Sequence, residues 1–504
     1  MNDLWQSFQY TVRRVPDRPA IVMGEQIHSF ADLAQRAEDF RASYIAAGLE
    51  PDSRILLWVE NCFDLAAALT AAWGCQAIPV LMDGGCRTPQ LEHAIAIVEP
   101  RIVVHRAPLP SANIGDSVSL YTDDVPAGTG QHQMGNQRIL PTDPASVVFT
   151  SGSTGRPKGV IQSHANLYRG CCSVYNYLQF CDEDIILCPV PWSFDYGYGQ
   201  LLTTLLCGLT QVLPTMDNPF GMCKAIEQQR PTVMAGTPSL FAYLMGGMSP
   251  IDSTDVSSLR LLTNTGGRLS KPLIDTLLQQ FKTTQLVLNY GLTETYRSCY
   301  IPPNQLREKS ASIGLPIPGV DVVVIREDGS QAAPFEEGEI VHRGDYVFLG
   351  YWGDAKASAE SLRRDPLHSP SVYASARAVY TGDLGYVDDE SYIYYVGRKD
   401  QQIKSMGVRV SPMEVEELLY QSGQVAHATV FGMPHDLLGQ EVWAAIVPSN
   451  GKAFAQNELK KMARNTMSQY MQPRKYMVLD ALPRTSTGKP DYVSLLKRAL
   501  EETE

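Results

Sequence analysis

The stretch FTSGSTGRPKGV, Phe149 to Val160, crowds hydroxyls, backbone freedom and one cation into a single short segment. Gly152, Gly155 and Gly159 let backbone amides turn inward without a Cβ clash. Thr150, Ser151, Ser153, Thr154 and Lys158 add hydroxyl donors and positive charge, a set that suits a polyphosphate. A solvent-facing hairpin is the plain alternative. It is not a Walker loop, because Lys158 is followed by Gly159 and an apolar run rather than by Ser or Thr opening a helix. No kinase H-R-D or D-F-G set and no G-x-S-x-G nucleophile elbow accompanies it.

Five further stretches hold chemistry-bearing residues. NTGGRLS (Asn264–Ser270) places Gly266 and Gly267 before Arg268, leaving a stretch of backbone bare of side chains. NYGLTETY (Asn289–Tyr296) sets Tyr290 and Gly291 beside Thr293 and Glu294. YTGDLG (Tyr380–Gly385) presents Asp383 between two glycines. GRKDQQIKSMGVRV (Gly397–Val410) and PRTSTGKPDY (Pro483–Tyr492) carry Arg398, Asp400, Lys404, Gly407 and Lys489.

In this order the motifs resemble those of the adenylate-forming superfamily, which includes acyl- and aryl-CoA ligases, luciferases and peptide-synthetase adenylation domains. The resemblance spans most of the chain. It implies that Thr150–Gly155 and Lys158 hold the ATP phosphates, and that the adenine lies along Gly266, Gly267 and Arg268 with Asn289, Tyr290 and Gly291. Thr293 would donate to the α-phosphate, Glu294 would hold Mg2+, and Asp383 with Arg398 would meet the ribose. Lys489 would be the catalytic ammonium, neutralising the two anions that must meet. Asp400 would be a hinge, with Lys404 and Gly407 facing the site for the thiol step. The implied reaction is ATP-dependent formation of an acyl adenylate with loss of pyrophosphate, then thioester formation with release of AMP. The nucleophilic carboxylate is already ionised and needs no general base.

The acid is less sharply indicated. By position within the resemblance, Trp192, Asp195, Tyr196, Tyr198, Ala235, Gly236 and Thr237 line its pocket. Phe194-Asp195 resembles the F-D of amino-acid-adenylating domains, where the aspartate binds the substrate amine, although Gly197 stands where a small hydroxyl residue is usual. Asp195 as a helix cap is the competing reading. The acceptor is CoA or the phosphopantetheine of a separate carrier protein, since 15 residues follow Lys489. A catalytically silent nucleotide-binding relative is disfavoured by the presence of Lys489, Glu294 and Asp383.

These residues need a scaffold. At 504 residues the chain exceeds a single ordinary core. Helical and strand patterns alternate, which predicts an α/β fold: a large N-terminal domain of packed sheets and helices (1–399) and a small mobile α+β domain (400–504), with the boundary at Arg398–Asp400. SVVFT and GVIQS read as strands flanking the glycine loop, Ser163 as the cap of a helix, and Ser411 as the cap of another starting at Pro412. A net charge of −12 argues against nucleic acid as a partner. Ten cysteines without a C-x-x-C pair fit a reducing compartment. MNDLWQSFQYTVRR lacks a signal-type apolar run, and the alanine-rich Phe63–Leu81 segment reads as a buried helix entering a strand. The expectation is a soluble cytoplasmic enzyme with no membrane span.

Overall fold

The computed structural model describes residues 3–86, 88–109, 114–128, 139–150, 157–216, 218–368, 376–406, 408–435, 438–449, 455–484 and 490–502. Among them the alternation read from the sequence becomes a mixed α/β fold with two large sheets, of nine and seven strands, and two five-stranded ones.

A seven-stranded sheet runs in the order Gly350–Tyr351, Lys158–Ser163, Pro144–Thr150, Ile78–Met82, Arg54–Trp58, Ile102–His105, Val118–Tyr121. Its centre is parallel, and the glycine loop joins an antiparallel pair at one side, with Val148 opposite Val160. A nine-stranded sheet runs Leu315–Pro316, Cys299–Tyr300, Gln285–Tyr290, Leu261–Asn264, Val233–Gly236, Ile185–Leu187, Thr210–Leu213, Pro19–Met23, Gln26–Ser29. Its inner strands are parallel and buried throughout, hence their unbroken apolar runs.

Three helices matter below: α1 (Leu4–Arg14), α2 (His164–Tyr177) and α3 (Asp195–Cys207). Helix α2 starts where Ser163 accepts from the Asn166 amide at 3.2 Å, and it buries His164, Leu167, Cys171 and Val174 at helical spacing. Helix α3 is buried nearly all round and stops at Gly208, whose φ of +84° suits a glycine ending. The largest core joins these helices, the alanine-rich helix Phe63–Gly74 and residues of both sheets. No helix among the described residues is long and apolar enough to cross a membrane.

By contacts the described residues divide into two compact units: those up to Val322 together with His342–Val379 form one, and Val323–Val341 with those from Tyr380 onward form the other. The expected boundary at Arg398–Asp400 therefore falls inside the second unit. Pairing explains this: Ile393–Arg398 lies antiparallel to Arg377–Val387, and Lys399 reaches Glu339 at 3.2 Å. The second unit also contains a five-stranded sheet, with Val425–His435 antiparallel to Gly439–Pro448 and Lys475–Val478 parallel to the latter. Helix α4 (Pro412–Gln421) starts at the Ser411 cap and buries Val415 and Leu419 in a separate core.

Candidate active site

Strand Gln285–Tyr290 delivers the N-Y-G-L-T-E-T-Y segment, and the turn after it is pinned on every side. Asn289 donates to Thr263 Oγ1 (2.9 Å) and to the Asn264 carbonyl (3.0 Å), and accepts from the Tyr177 hydroxyl (2.7 Å). Its side chain thus latches two strands to α2. A Cβ at Gly291 would lie 2.9 Å from the Arg297 Cα, so this turn requires glycine. Leu292 N–H donates to Thr295 Oγ1 at 3.1 Å, and Ser298 Oγ lies 2.9 Å from both Thr295 Oγ1 and His342 Nδ1. His342 Nε2 faces the Asp345 carbonyl at 2.8 Å, so the ring proton belongs on Nε2 and Nδ1 accepts. Burial pulls the His342 pKa down to about 4, keeping the ring neutral.

This frame sets two of the expected catalytic residues. The Thr293 carbonyl accepts from Gln162 at 2.6 Å, and the Glu294 carbonyl from Phe348 N–H at 3.0 Å. Glu294 Oε1 accepts from the Tyr351 hydroxyl at 2.7 Å. The Lys158 ammonium stands 5.0 Å from the centre of the same tyrosine ring. One aromatic side chain therefore brings the loop lysine and the motif glutamate together. Tyr351 went unnoticed in the sequence; nothing local in F-L-G-Y-W-G marks it. Thr150 closes the base of the loop, its Oγ1 3.4 Å from the Lys158 carbonyl. Ser151, Gly152, Ser153, Thr154 and Gly155 lie outside the described residues.

Three further segments converge. Gly266, at φ +84°, would put a Cβ 3.3 Å from Phe194, and Gly267 would put one 3.2 Å from Pro238. Gly236 packs its bare Cα against the Phe241 ring. Thr237 caps the helix Pro238–Leu244, accepting from Leu240 N–H at 3.4 Å. Arg268 is exposed and Tyr290 half-buried. Of the expected pocket residues, Trp192, Tyr196, Tyr198 and Ala235 are buried in the core, and the Tyr196 hydroxyl donates to the Thr263 carbonyl at 2.6 Å.

Asp195 has a partner that sequence reading missed. Helix α3 begins at Asp195, with no side-chain cap, so the capping role is not realised. Instead its Oδ2 faces Arg297 Nη1 at 3.4 Å, with the two side chains only 13% and 3% exposed. The guanidinium stands 4.9 Å from the Tyr196 ring centre and 5.4 Å from that of Tyr296, so cation–π contacts add to the pair. Tyr296 holds φ +58°, a left-handed conformation unusual for an aromatic residue. Its ring occupies space left by Gly170 of α2 and Gly199 of α3. Gly197 has its own reason: a Cβ there would overlap the Pro191 carbonyl.

In the second unit, Asp383 and Arg398 are cross-strand partners, Oδ1 to Nη1 at 3.0 Å. Arg398 also donates to the Thr381 carbonyl (3.1 Å) and reaches Asp400 (3.4 Å). Thr381 Oγ1 donates to the Ile340 carbonyl and accepts from Asp383 N–H, fixing the aspartate in its buried place. Lys404 is exposed, its N–H held by Gln440 at 2.8 Å. Gly407 and Lys489 lie outside the described residues.

A family model described as AMP-binding enzyme matches residues 8–352, and one described as AMP-binding enzyme C-terminal domain matches 414–489. A feruloyl-CoA synthase of Amycolatopsis sp is 30% identical over 482 residues, 95% of each chain. An indoleacetate–CoA ligase of Aromatoleum aromaticum is 28% identical over 94% of each. A 2-succinylbenzoate–CoA ligase of Bacillus cereus is 27% identical over 97% of this chain and 96% of its own. Among solved structures, O-succinylbenzoate coenzyme A synthetase from Bacillus subtilis with ATP and magnesium ion superposes with a TM-score of 0.85 at 23% identity, covering 98% of this chain and 99% of that one. ATP-bound MatB from Rhodopseudomonas palustris gives 0.86 at 23%, with both chains fully covered. At that identity the structures speak for the fold.

Proposed function

We propose, from the premise that the chain belongs to the AMP-binding enzyme family, that it converts an aromatic carboxylic acid to its CoA thioester. The enzyme is an AMP-forming acid–thiol ligase of the acyl-CoA ligase kind, with ATP, Mg2+ and CoA in its chemistry. The substrate carboxylate attacks the α-phosphorus of ATP, pyrophosphate leaves, and the thiol then displaces AMP from the acyl adenylate.

Catalysis is positioning plus charge neutralisation. Lys158 and the Thr150–Gly155 loop are assigned to the phosphates, and Thr293 to the α-phosphate. Gly266, Gly267, Arg268, Tyr290 and Gly291 are assigned to the adenine, with Asn289 holding their strand in register. Glu294 suits Mg2+: it is a half-buried carboxylate with one oxygen oriented by Tyr351 and a lysine nearby. When bound there, the ion draws negative charge off the phosphates. Asp383, steadied by Arg398, is assigned to the ribose diol, Lys489 to the carboxylate and α-phosphate, and Asp400 to a hinge that presents Lys404 and Gly407 for the thiol step. A cytoplasmic location goes with this reading.

The observation that carries the choice of acid is the buried Asp195–Arg297 pair. An aspartate already neutralised by arginine is a poor receptor for a substrate ammonium, which removes the reason to read an amino acid. The aromatic class is supported by relatives named for ferulate, indoleacetate and succinylbenzoate. The test is pyrophosphate exchange with ferulate, indoleacetate, 2-succinylbenzoate, decanoate and the proteinogenic amino acids, followed by product analysis with CoA. Aromatic acids should support exchange and yield a CoA thioester. Exchange with amino acids alone, abolished by Asp195→Asn, would restore the carrier-protein reading.

A further inference from the structure

Away from the adenylation motifs, α1, α2 and α3 enclose a surface pocket of about 280 Å³ lined by Ser7, Tyr10, Arg14, Tyr168, Asp182 and Cys207, among others. At its inner side lies a thiol pair: Cys207, the last residue of α3, is half-buried, and its Sγ stands 3.6 Å from that of fully buried Cys171 on α2. We propose that Cys171 and Cys207 are a reversible oxidation site, in which a hydroperoxide entering this pocket oxidises Cys207 and Cys171 then closes a disulfide.

Three features carry the assignment. The sulfurs already touch, and joining them shortens their separation to about 2 Å, within reach of a side-chain rotation at a helix end. Access is one-sided, because Cys207 lines the pocket and Cys171 does not. A volume that would hold several waters, at ~30 Å³ each, admits hydrogen peroxide or a small organic hydroperoxide. Finally, the buried Cys171 thiol, its pKa pushed well above the usual thiol range by hydrogen bonding to Cys207 and by burial, suits the resolving rather than the attacking role. Either sulfur can donate across this contact, and Cys171 Sγ also lies 3.9 Å from Thr203 Oγ1. Arg14, which donates to the Cys207 carbonyl oxygen and pairs with Asp182 at 3.1 Å, places positive charge next to the reacting residue.

The chemistry balances. The Cys207 thiolate attacks the distal peroxide oxygen, the O–O bond breaks, and the sulfur becomes a sulfenic acid while the peroxide leaves as alcohol or water after taking a proton. The Cys171 sulfur then attacks the sulfenic sulfur; the S–O bond breaks, and the Cys171 proton departs with the hydroxyl as water. The bond ties α2 to α3, the two helices whose glycines make room for Tyr296.

The test uses the full chain, reduced, desalted and treated with hydrogen peroxide under native conditions. Trypsin leaves residues 170–224 as one peptide, so a chymotryptic map is needed. Expected are a cross-link between Cys171 and Cys207 with loss of two hydrogens, a fall of two in titratable thiols, and full reversal by dithiothreitol. Cys172→Ser should keep the link, and Cys207→Ser should abolish it. Cys171→Ala should leave Cys207 as a sulfenic acid trapped by dimedone. A link through Cys172, oxidation confined to exposed Cys181, or Cys207 passing to sulfinic acid in the wild type without a link would overturn the proposal.

Discussion

Tyr351 shows how one hydroxyl can tune a site it does not enter. Its donation to Glu294 orients the carboxylate, while its ring faces the Lys158 ammonium. A hydrogen bond to a charged group contributes roughly 1.5–3 kcal/mol. Tyr351→Phe should therefore slow adenylation about tenfold to a hundredfold and raise the Mg2+ concentration required. Tyr351→Ala, which also removes the ring, should be slower again; an unchanged Mg2+ dependence in the Phe variant would mean the hydroxyl has no such role. The Asp195–Arg297 pair makes a second case. Removing one member of a buried pair costs about 3–5 kcal/mol, because the other charge is left stranded. Asp195→Asn and Arg297→Met should each lower the melting temperature, and the double variant should melt well above the additive expectation. Strict additivity would mean the two charges do not interact. Neither pair was readable in the chain, for a physical reason: their members are 57 and 102 residues apart, and contacts closed by tertiary folding leave no local periodicity. Asn289 was readable as a motif member, but the latch its amide makes to Thr263 was not.

At the level of elements, local chemistry was the legible part. Ser163 and Ser411 were identifiable as caps because capping links residues three apart. The strands beside the glycine loop were identifiable from β-branched runs. What could not be read was that Asp383–Val387, paired with Ile393–Arg398, belongs with the second unit, since strand pairing is not written in either strand alone. The fit of α2 and α3 around Tyr296 gives an element-scale prediction. Glycine inside a helix ordinarily costs about 0.5–1 kcal/mol relative to alanine, so Gly→Ala there usually stabilises. Here the sign should reverse. A Cβ at Gly170 would sit 2.5 Å from the Tyr296 ring, whereas one at Gly199 would be 3.3 Å from its hydroxyl. Gly170→Ala should lose roughly 1–3 kcal/mol by overpacking, and Gly199→Ala clearly less. Denaturant midpoints would settle the order, and a stabilised Gly170→Ala would refute the packing argument.

On the scale of the whole molecule, buried groups in the two units give stability contributions of opposite pH dependence. In the first, His164 accepts from the Leu4 amide and His342 from Ser298, and burial lowers both to about 4. Between pH 6.5 and 4 the unfolded chain binds protons that these folded imidazoles refuse, so their stability contribution is complete above about 6.5 and is lost as pH falls. In the second unit, Glu416 of α4 lies half-buried, accepting only the Val430 amide at 2.8 Å among the described partners, and desolvation raises it to about 8. The folded unit keeps that proton after the unfolded chain has released it near pH 4.5. Its stability is therefore full below pH 4.5 and declines as pH rises through 8, by on the order of several kcal/mol. Two units with separate cores need not melt together. Scanning calorimetry at pH 8.5 should show the transition containing α4 moving down, while at pH 5 the transition containing α2 moves down instead. Glu416→Gln keeps an acceptor for Val430 without a titrating proton, so its melting temperature should exceed that of the wild type at pH 8.5 and nearly match it at pH 5. Hydrogen exchange can assign each transition to its unit. A Glu416→Gln difference that is flat from pH 5 to 8.5 would show that this carboxyl ionises as freely in the folded chain as in the unfolded one.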